Sequence, residues 1–301
     1  MPRLVCADVL KLFEVALVEY PSVDQIILLV NDTRFGGSGN SGGRVAVTSA
    51  FFPEIALHEM GHSLADLADE YVDPLIIESS GLPAFEQGRY GNVSVSSDPA
   101  LVPWAHWIDS DEVLPQFDGD SGIGVFEGGL YRSTGVFRPS FDSRMRSFDV
   151  PFGPVNSEQW ILRLYALTDG VRKLSPIVTE LQLANGEQQL FEVDPIFGVD
   201  VQNISWVLNG ELLESNGESE LLLPSLGSIT GQADDDPGVA FNLESSVAIE
   251  ALADEYLSRV MLTLPTGEHE LSVTVTDRSG KIRMDPPHAG IFTWTWSIRV
   301  L

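Results

Sequence analysis

Cysteine is almost missing from this 301-residue chain. Cys6 stands alone, so neither an intramolecular disulfide nor a thiolate-built zinc site is open to it. Apolar runs of about 18 or more residues are missing too, and with them any helical membrane span. Basic residues are scarce. Against 44 Asp and Glu stand 17 Lys and Arg, a net charge of −27 spread along the chain rather than gathered in one tail. A field of that sign repels phosphate backbones and anionic lipid, and argues against nucleic acid or an acidic membrane surface as partner. Repeats and low-complexity tracts are absent. The first residues, "MPRLVCADVLKLFEVALVEYP", lack the basic, apolar and small-residue stretches of an export signal. The expectation is a longer natural chain whose export signal and pro-segment lie upstream of this one.

What is present reads as two domains. Ala7–Tyr20 has the pattern of an amphipathic helix, and "QIILLVND" (25–32) that of a buried strand. "GGSGNSGG" (36–43) reads as a loop and "RVAVTS" (44–49) as an edge strand. Residues 72–154 are rich in Gly, Pro, Ser and Asp, long for a loop region without a function. "NSEQWILRLYALTDG" (156–170) reads as a closing helix, with Asn156 or Ser157 as N-cap and Gly170 as C-cap. After Leu174 the pattern becomes short alternating segments between turn residues, among them "NISWVLNGELLE", "EHELSVTVTDRSG" and "FTWTWSIRVL". That is the signature of an immunoglobulin-like β-sandwich, with Trp206 as a core residue. The expected division is 1–172 and 173–301.

Chemistry concentrates in "ALHEMGHSLADLADEY" (56–71). His58 and His62, four apart on a helix, lie about 40° apart around its axis, so both imidazoles leave one face. A tetrahedral zinc ion needs such convergence, and Glu59 is placed to polarise a bound water. Gly61 costs a helix up to about 1 kcal/mol relative to Ala, which points to close packing against its backbone. Asp66, Asp69 and Glu70 each offer a third ligand, and "DSRMRS" (142–147) sets Met145 in a loop downstream. Without those neighbours, His-Glu-x-x-His is a short match that an ordinary acidic helix can carry by chance.

Together with "VNDTRFGGSG", "VPWAHWI", "FEGGLYRSTGVFRPS" and "SRMRSFDVPFGPVNSEQWILRLY", this motif gives a chain that resembles the IgA-peptidase family of zinc metallopeptidases, related to the metzincins. The resemblance covers most of residues 25–165. It implies an α+β metzincin-like (zincin) catalytic domain, zinc on His58 and His62, Glu59 as general base, and Met145 in the methionine turn beneath the metal. It departs from the common metzincin spacing at Ala65 and Ala68. In the longer pattern that fits, Asp69 is the third ligand and Asp66 stands where a helix-breaking glycine is expected, in a left-handed conformation that aspartate tolerates better than most residues.

Other candidates have blander alternatives. His106, flanked by Trp104 and Trp107, is an alternative third ligand but more simply a structural histidine. His269 and His288 read as surface residues of the sandwich. Tyr131 could donate to the oxyanion of a tetrahedral intermediate or pack as a loop tyrosine. Arg132, Arg138, Arg144 and Arg146 are expected to pair with Asp142 and Asp149 rather than bind a substrate carboxylate. The glycine loop lacks the Gly-Lys-Ser/Thr ending of a phosphate loop. "DSDEVLPQFDGDSG" (109–122) has oxygen ligands for calcium but no EF-hand spacing, so a solvated loop is expected.

The function these residues imply is a secreted, periplasmic or cell-surface zinc endopeptidase acting on protein or peptide. The alternative is an adhesion or glycan-binding module on a degenerate peptidase scaffold, which would be free to lose Glu59.

Overall fold

The computed structural model describes residues 5, 7–39, 43–76, 85–108, 122–198, 201–215, 238–243, 247–252, 257–283 and 290–301. Its contacts separate two compact units, Met1–Arg163 and Leu164–Leu301. Cys6, His288, the acidic stretch 109–121 and "SELLLP" (219–224), another of the short segments read as strand, lie outside the described residues.

In the first unit, α1 (Val9–Glu19) is capped by the Asp8 side chain and buries none of its residues. The amphipathic pattern predicted a covered face, yet Leu10, Val15 and Val18 are exposed. A three-stranded sheet follows, in the order β1–β3–β2, with β1 spanning Ile26–Val30, β2 Gly37–Gly39 and β3 Val45–Ser49. β1 runs parallel to β3 and β2 antiparallel to it. The two apolar strands exchange their expected roles. β3 is the central strand, buried at every residue, while β1 lies at an edge with Ile27 and Leu29 exposed. β2 was expected to be loop, but two glycines let it pass close against the helix that follows.

That helix, α2 (Pro53–Ser63), has proline in its first turn and Glu54 beside its positive N-terminal end. Within the glycine-rich stretch 72–154, residues Phe126–Gly129 (β4) and Arg132–Arg138 (β5) form a hairpin. Its alternation is broken by glycines, which hid it from period-2 reading. The closing helix α3 (Pro154–Thr168) starts two residues early, so Asn156 is not its N-cap. Asp169 and Gly170 then turn left-handed.

Beyond the end of α3, the second unit is all-β. One sheet has the order β10–β9–β14–β15–β7 and the other β11–β12–β13–β8–β6. In chain order these strands are β6 (Val171–Ser175), β7 (Glu180–Leu183), β8 (Gln188–Pro195), β9 (Gln202–Leu208), β10 (Glu211–Ser215), β11 (Gly238–Leu243), β12 (Val247–Leu252), β13 (Ser258–Thr263), β14 (Gly267–Asp277) and β15 (Ile291–Val300). Inward residues of both sheets form one core, in which Phe191 of β8 meets Trp296 of β15 edge-on at 5.1 Å and Trp296 stacks on Trp206 of β9. After Trp206 the strand turns at Asn209–Gly210, both at positive φ, the geometry two-residue hairpins favour. Among the described residues, no helix is long and apolar enough to cross a membrane.

Candidate metal centre

His58 and His62 leave the same face of α2, and each is locked through its Nδ1. That of His58 lies 2.9 Å from the Arg144 carbonyl, and that of His62 lies 2.7 Å from the Leu67 carbonyl. A carbonyl only accepts, so each Nδ1 carries the proton and each Nε2 of a neutral ring presents a lone pair. Backbone carbonyls placed in this way are ordinary outer partners of metal-binding histidines.

α2 stops at Ser63, and the chain reverses through Asp66, whose φ of +55° is left-handed. A paired Arg89 grips the Asp66 carboxylate. Had the helix continued, Asp69 would lie two turns away from His62. The reversal instead brings Asp69 Oδ1 to 3.0 Å from His58 Nε2 and 3.2 Å from His62 Nε2. These contacts lack hydrogen-bond alignment, and Oδ1 is buried without a hydrogen-bond donor. A buried carboxylate oxygen left so is costly. Two imidazole lone pairs and this oxygen, turned toward one another, make a donor set that suits a cation. His58, Glu59 and His62 likewise form a buried cluster that could hold a metal ion.

Electrostatics follow from burial. It pushes the Glu59 carboxyl up to about 7, against the pull of His62 and His58. It disfavours a charged His62, yet the Asp69 carboxylate outweighs it and His62 is raised to about 9. Burial also opposes ionisation of Asp69, and the His62 and His58 imidazoles reverse that, lowering it.

The segment after the turn is fixed from several sides. Asn92 pairs with both backbone groups of Ala68 at 2.9 Å. Glu70, fully buried, accepts from Asn92 and Asn156 at 2.9 Å and from Ser143 at 2.7 Å. Its own N–H donates to the Met145 carbonyl. Three consecutive loop residues thereby serve the centre: Ser143 holds Glu70, Arg144 holds His58, and Met145 packs beneath α2. A Cβ on Gly61 would come within 2.6 Å of Met145 Sδ, which is the close approach that this glycine predicted.

Two neighbours were not legible as part of the site. Gly39 of β2 lies so near α2 that a Cβ there would fall 2.3 Å from the Glu59 carbonyl oxygen and 2.9 Å from His62 Cβ. Phe148 packs 5.0 Å from the His58 ring. Both line a cleft of about 510 Å³ that also exposes Tyr71, Tyr131 and Arg146.

Tyr131 is not in a loose loop. It sits at the tip of the β4–β5 hairpin, its hydroxyl donates to Asp69 Oδ2, and burial with the Asp69 charge raises its pKa and keeps the phenol protonated. His106 is committed elsewhere, 2.7 Å from the buried Glu158, which Trp107 also contacts. Of the arginines, Arg146 pairs with Asp142 at 3.8 Å as expected. Arg138 instead donates to the carbonyls of Glu127, Gly128 and Phe141. His269 bonds Asn209 and the Pro265 carbonyl in the second unit.

Among known proteins, the family described as IgA Peptidase M64 matches residues 3–121. That span is under half of the chain; it holds His58, Glu59, His62 and Asp69 and stops short of Tyr131 and Met145. No curated protein matches the chain. Solved structures similar to it include the fibronectin(III)-like modules of Clostridium thermocellum CbhA, at 12% identity and a TM-score of 0.22 over 42% of this chain and 44% of that one. Domains 4 and 5 of the S-layer protein SbsC match at 7% identity and 0.22, over 44% and 46%. A protein from Bacteroides thetaiotaomicron matches at 10% and 0.24, over 44% and 86%. The chain thus spans less than half the length of the first two, and likenesses this low carry no argument about it. The family match supports the IgA-peptidase family and, with it, a peptidase kind of function for the chain.

Proposed function

We propose that the chain is a zinc-dependent endopeptidase, with a metzincin-like catalytic domain over 1–172 and an immunoglobulin-like sandwich over 173–301, acting outside the cytoplasm on protein or peptide. One observation carries the reading: the two carbonyl-anchored imidazoles face an Asp69 oxygen that no hydrogen bond satisfies. Three protein donors with an open fourth position are the pattern of catalytic zinc, as distinct from the closed four-ligand pattern of structural zinc. In this reading His58, His62 and Asp69 would hold the ion, and Met145, packed against Gly61, would support the helix that carries the histidines.

Zinc held by that donor set would supply Lewis acidity, acidifying the attacking water and polarising the scissile carbonyl. Glu59 does the proton work. Its carboxylate takes the proton of the attacking water as the new C–O bond forms, then delivers it to the amide nitrogen as the C–N bond breaks. Glu59 lines the same cleft as His58, His62 and Asp69. β2 lies at a sheet edge beside the cleft, where an extended peptide could run along it, as peptides do at exposed sheet edges.

The test is metal analysis joined to cleavage of casein or gelatin. The expected result is about one zinc per chain, activity abolished by chelator, zinc lost in His58→Ala and His62→Ala, and zinc retained without activity in Glu59→Ala. Full proteolysis by Glu59→Ala would sink the mechanism.

A further inference from the structure

The tip of the β4–β5 hairpin carries an unusual choice of residues. Gly129 pairs with Arg132, so Leu130 and Tyr131 are the two central residues of the turn, and both are left-handed, with φ of +45° and +67°. Turns of this shape favour Asn and Gly, because a bulky side chain at positive φ crowds its own backbone. Strain held in a well-packed structure points to a function for the strained residue. Here the surroundings fix the turn. Leu130 N–H donates to the Asp69 carbonyl at 2.8 Å, Tyr131 N–H to the Tyr71 carbonyl at 3.0 Å, and Asp73 N–H to the Tyr131 carbonyl at 3.0 Å. The segment that delivers Asp69 is therefore stitched to the strained turn, and the turn aims the Tyr131 hydroxyl at Asp69 Oδ2.

We propose that Tyr131 is a positioning residue for the third metal ligand: its hydroxyl occupies Asp69 Oδ2, so that only Oδ1 faces His58 and His62 and the carboxylate ligates through one oxygen. This rests on the zinc reading above and assigns Tyr131 a role other than oxyanion donor. The Tyr71 ring, packed edge-on at 5.2 Å, limits where the phenol can swing.

Tyr131→Phe keeps the ring and removes only the hydroxyl. Loss of an outer partner of a metal ligand lowers metal affinity about 10- to 100-fold. Zinc affinity, read by competition with a chromophoric chelator, is expected to fall by that factor. The visible spectrum of the cobalt-loaded variant is expected to shift as Asp69 is freed to bind through both oxygens. Leu130→Gly, which relieves the neighbouring left-handed strain, is expected to leave zinc affinity unchanged. Tyr131→Phe is also measured on that background, so that relief of strain offsets any loss of folding. Unchanged zinc affinity with a collapse of kcat would overturn the proposal and make Tyr131 an oxyanion donor. Unchanged affinity and unchanged kcat would overturn it and make the hydroxyl a bystander. A parent chain that takes up no zinc would refute the metal reading itself, and the clamp with it.

Discussion

Gly39→Ala puts the packing of the site under the sharpest stress. The added Cβ would stand 2.3 Å from the Glu59 carbonyl oxygen, 3.0 Å from the Glu59 carbonyl carbon and 2.9 Å from His62 Cβ. Packed carbon atoms settle at about 3.5–4.0 Å, so β2 and α2 must separate by about 1 Å. Two of the three obstructing atoms are backbone, and no rotamer change removes them. Overpacking of this kind costs about 1–3 kcal/mol. At about 2–4 °C per kcal/mol for a unit of this size, the first unit should melt about 2–12 °C lower. β2 pairs with β3 over only three residues, so it is the element that yields, and it carries its backbone N–H away from Glu59. Peptidase activity should therefore fall further than stability does, by about tenfold or more in kcat/KM. Gly153→Ala is the control. Gly153, unlike Gly39, has positive φ, and its added Cβ meets nothing within 4 Å, so it should lose about 1–2 kcal/mol of backbone energy and keep its activity. The two assays are thermal melting by circular dichroism and cleavage of a fluorogenic peptide. A Gly39→Ala chain that melts with the parent and cleaves at the parental rate would refute the reasoning.

Met145→Ala empties a fully buried site beneath Gly61 and should cost about 2–5 kcal/mol, measured by urea unfolding; a cost under about 1 kcal/mol would mean the methionine is not supporting α2. Glu70→Gln replaces an acceptor of three side-chain hydrogen bonds with an amide that must turn its own donors toward at least one of them. It should destabilise by about 1–3 kcal/mol and weaken zinc binding, whereas a neutral substitution would show the network to be slack. Zinc at about 1,000 times its dissociation constant should stabilise the first unit by about 4 kcal/mol, so a chelator should lower its melting temperature by about 8–16 °C, and no shift would argue against a bound metal. Leu164–Leu301 expressed alone should unfold cooperatively and show no peptidase activity, and a fragment without a melting transition would refute an independent sandwich.

How much of this was legible in the sequence differs from element to element, for physical reasons. The helix bearing His58 and His62 could be read because its spacing repeats the helical period. The left-handed Asp66 was implied by the family resemblance, whose pattern sets the helix-breaking position there; geometry alone required only that the helix stop somewhere before a third ligand. The sandwich strands β8, β9, β14 and β15 announce themselves by alternation. By contrast, β1 and β3 are both apolar runs, and only the pairing order decides which is central. β2 and the β4–β5 hairpin were hidden by glycine, which reads as loop but here lets backbone approach backbone. Tyr131 was noticed, but its bond to Asp69 depends on a turn that Leu-Tyr does not encode locally; contacts more than fifty residues away in sequence impose it.

The most direct test is the position of the metal. Anomalous diffraction at the zinc edge from the zinc-loaded protein should show one ion, bound by the Nε2 atoms of His58 and His62 at about 2.0–2.1 Å and by one oxygen of Asp69 at about 2.0–2.2 Å. A zinc ion more than about 4 Å from Asp69, or no ion between the two histidines, would contradict the account.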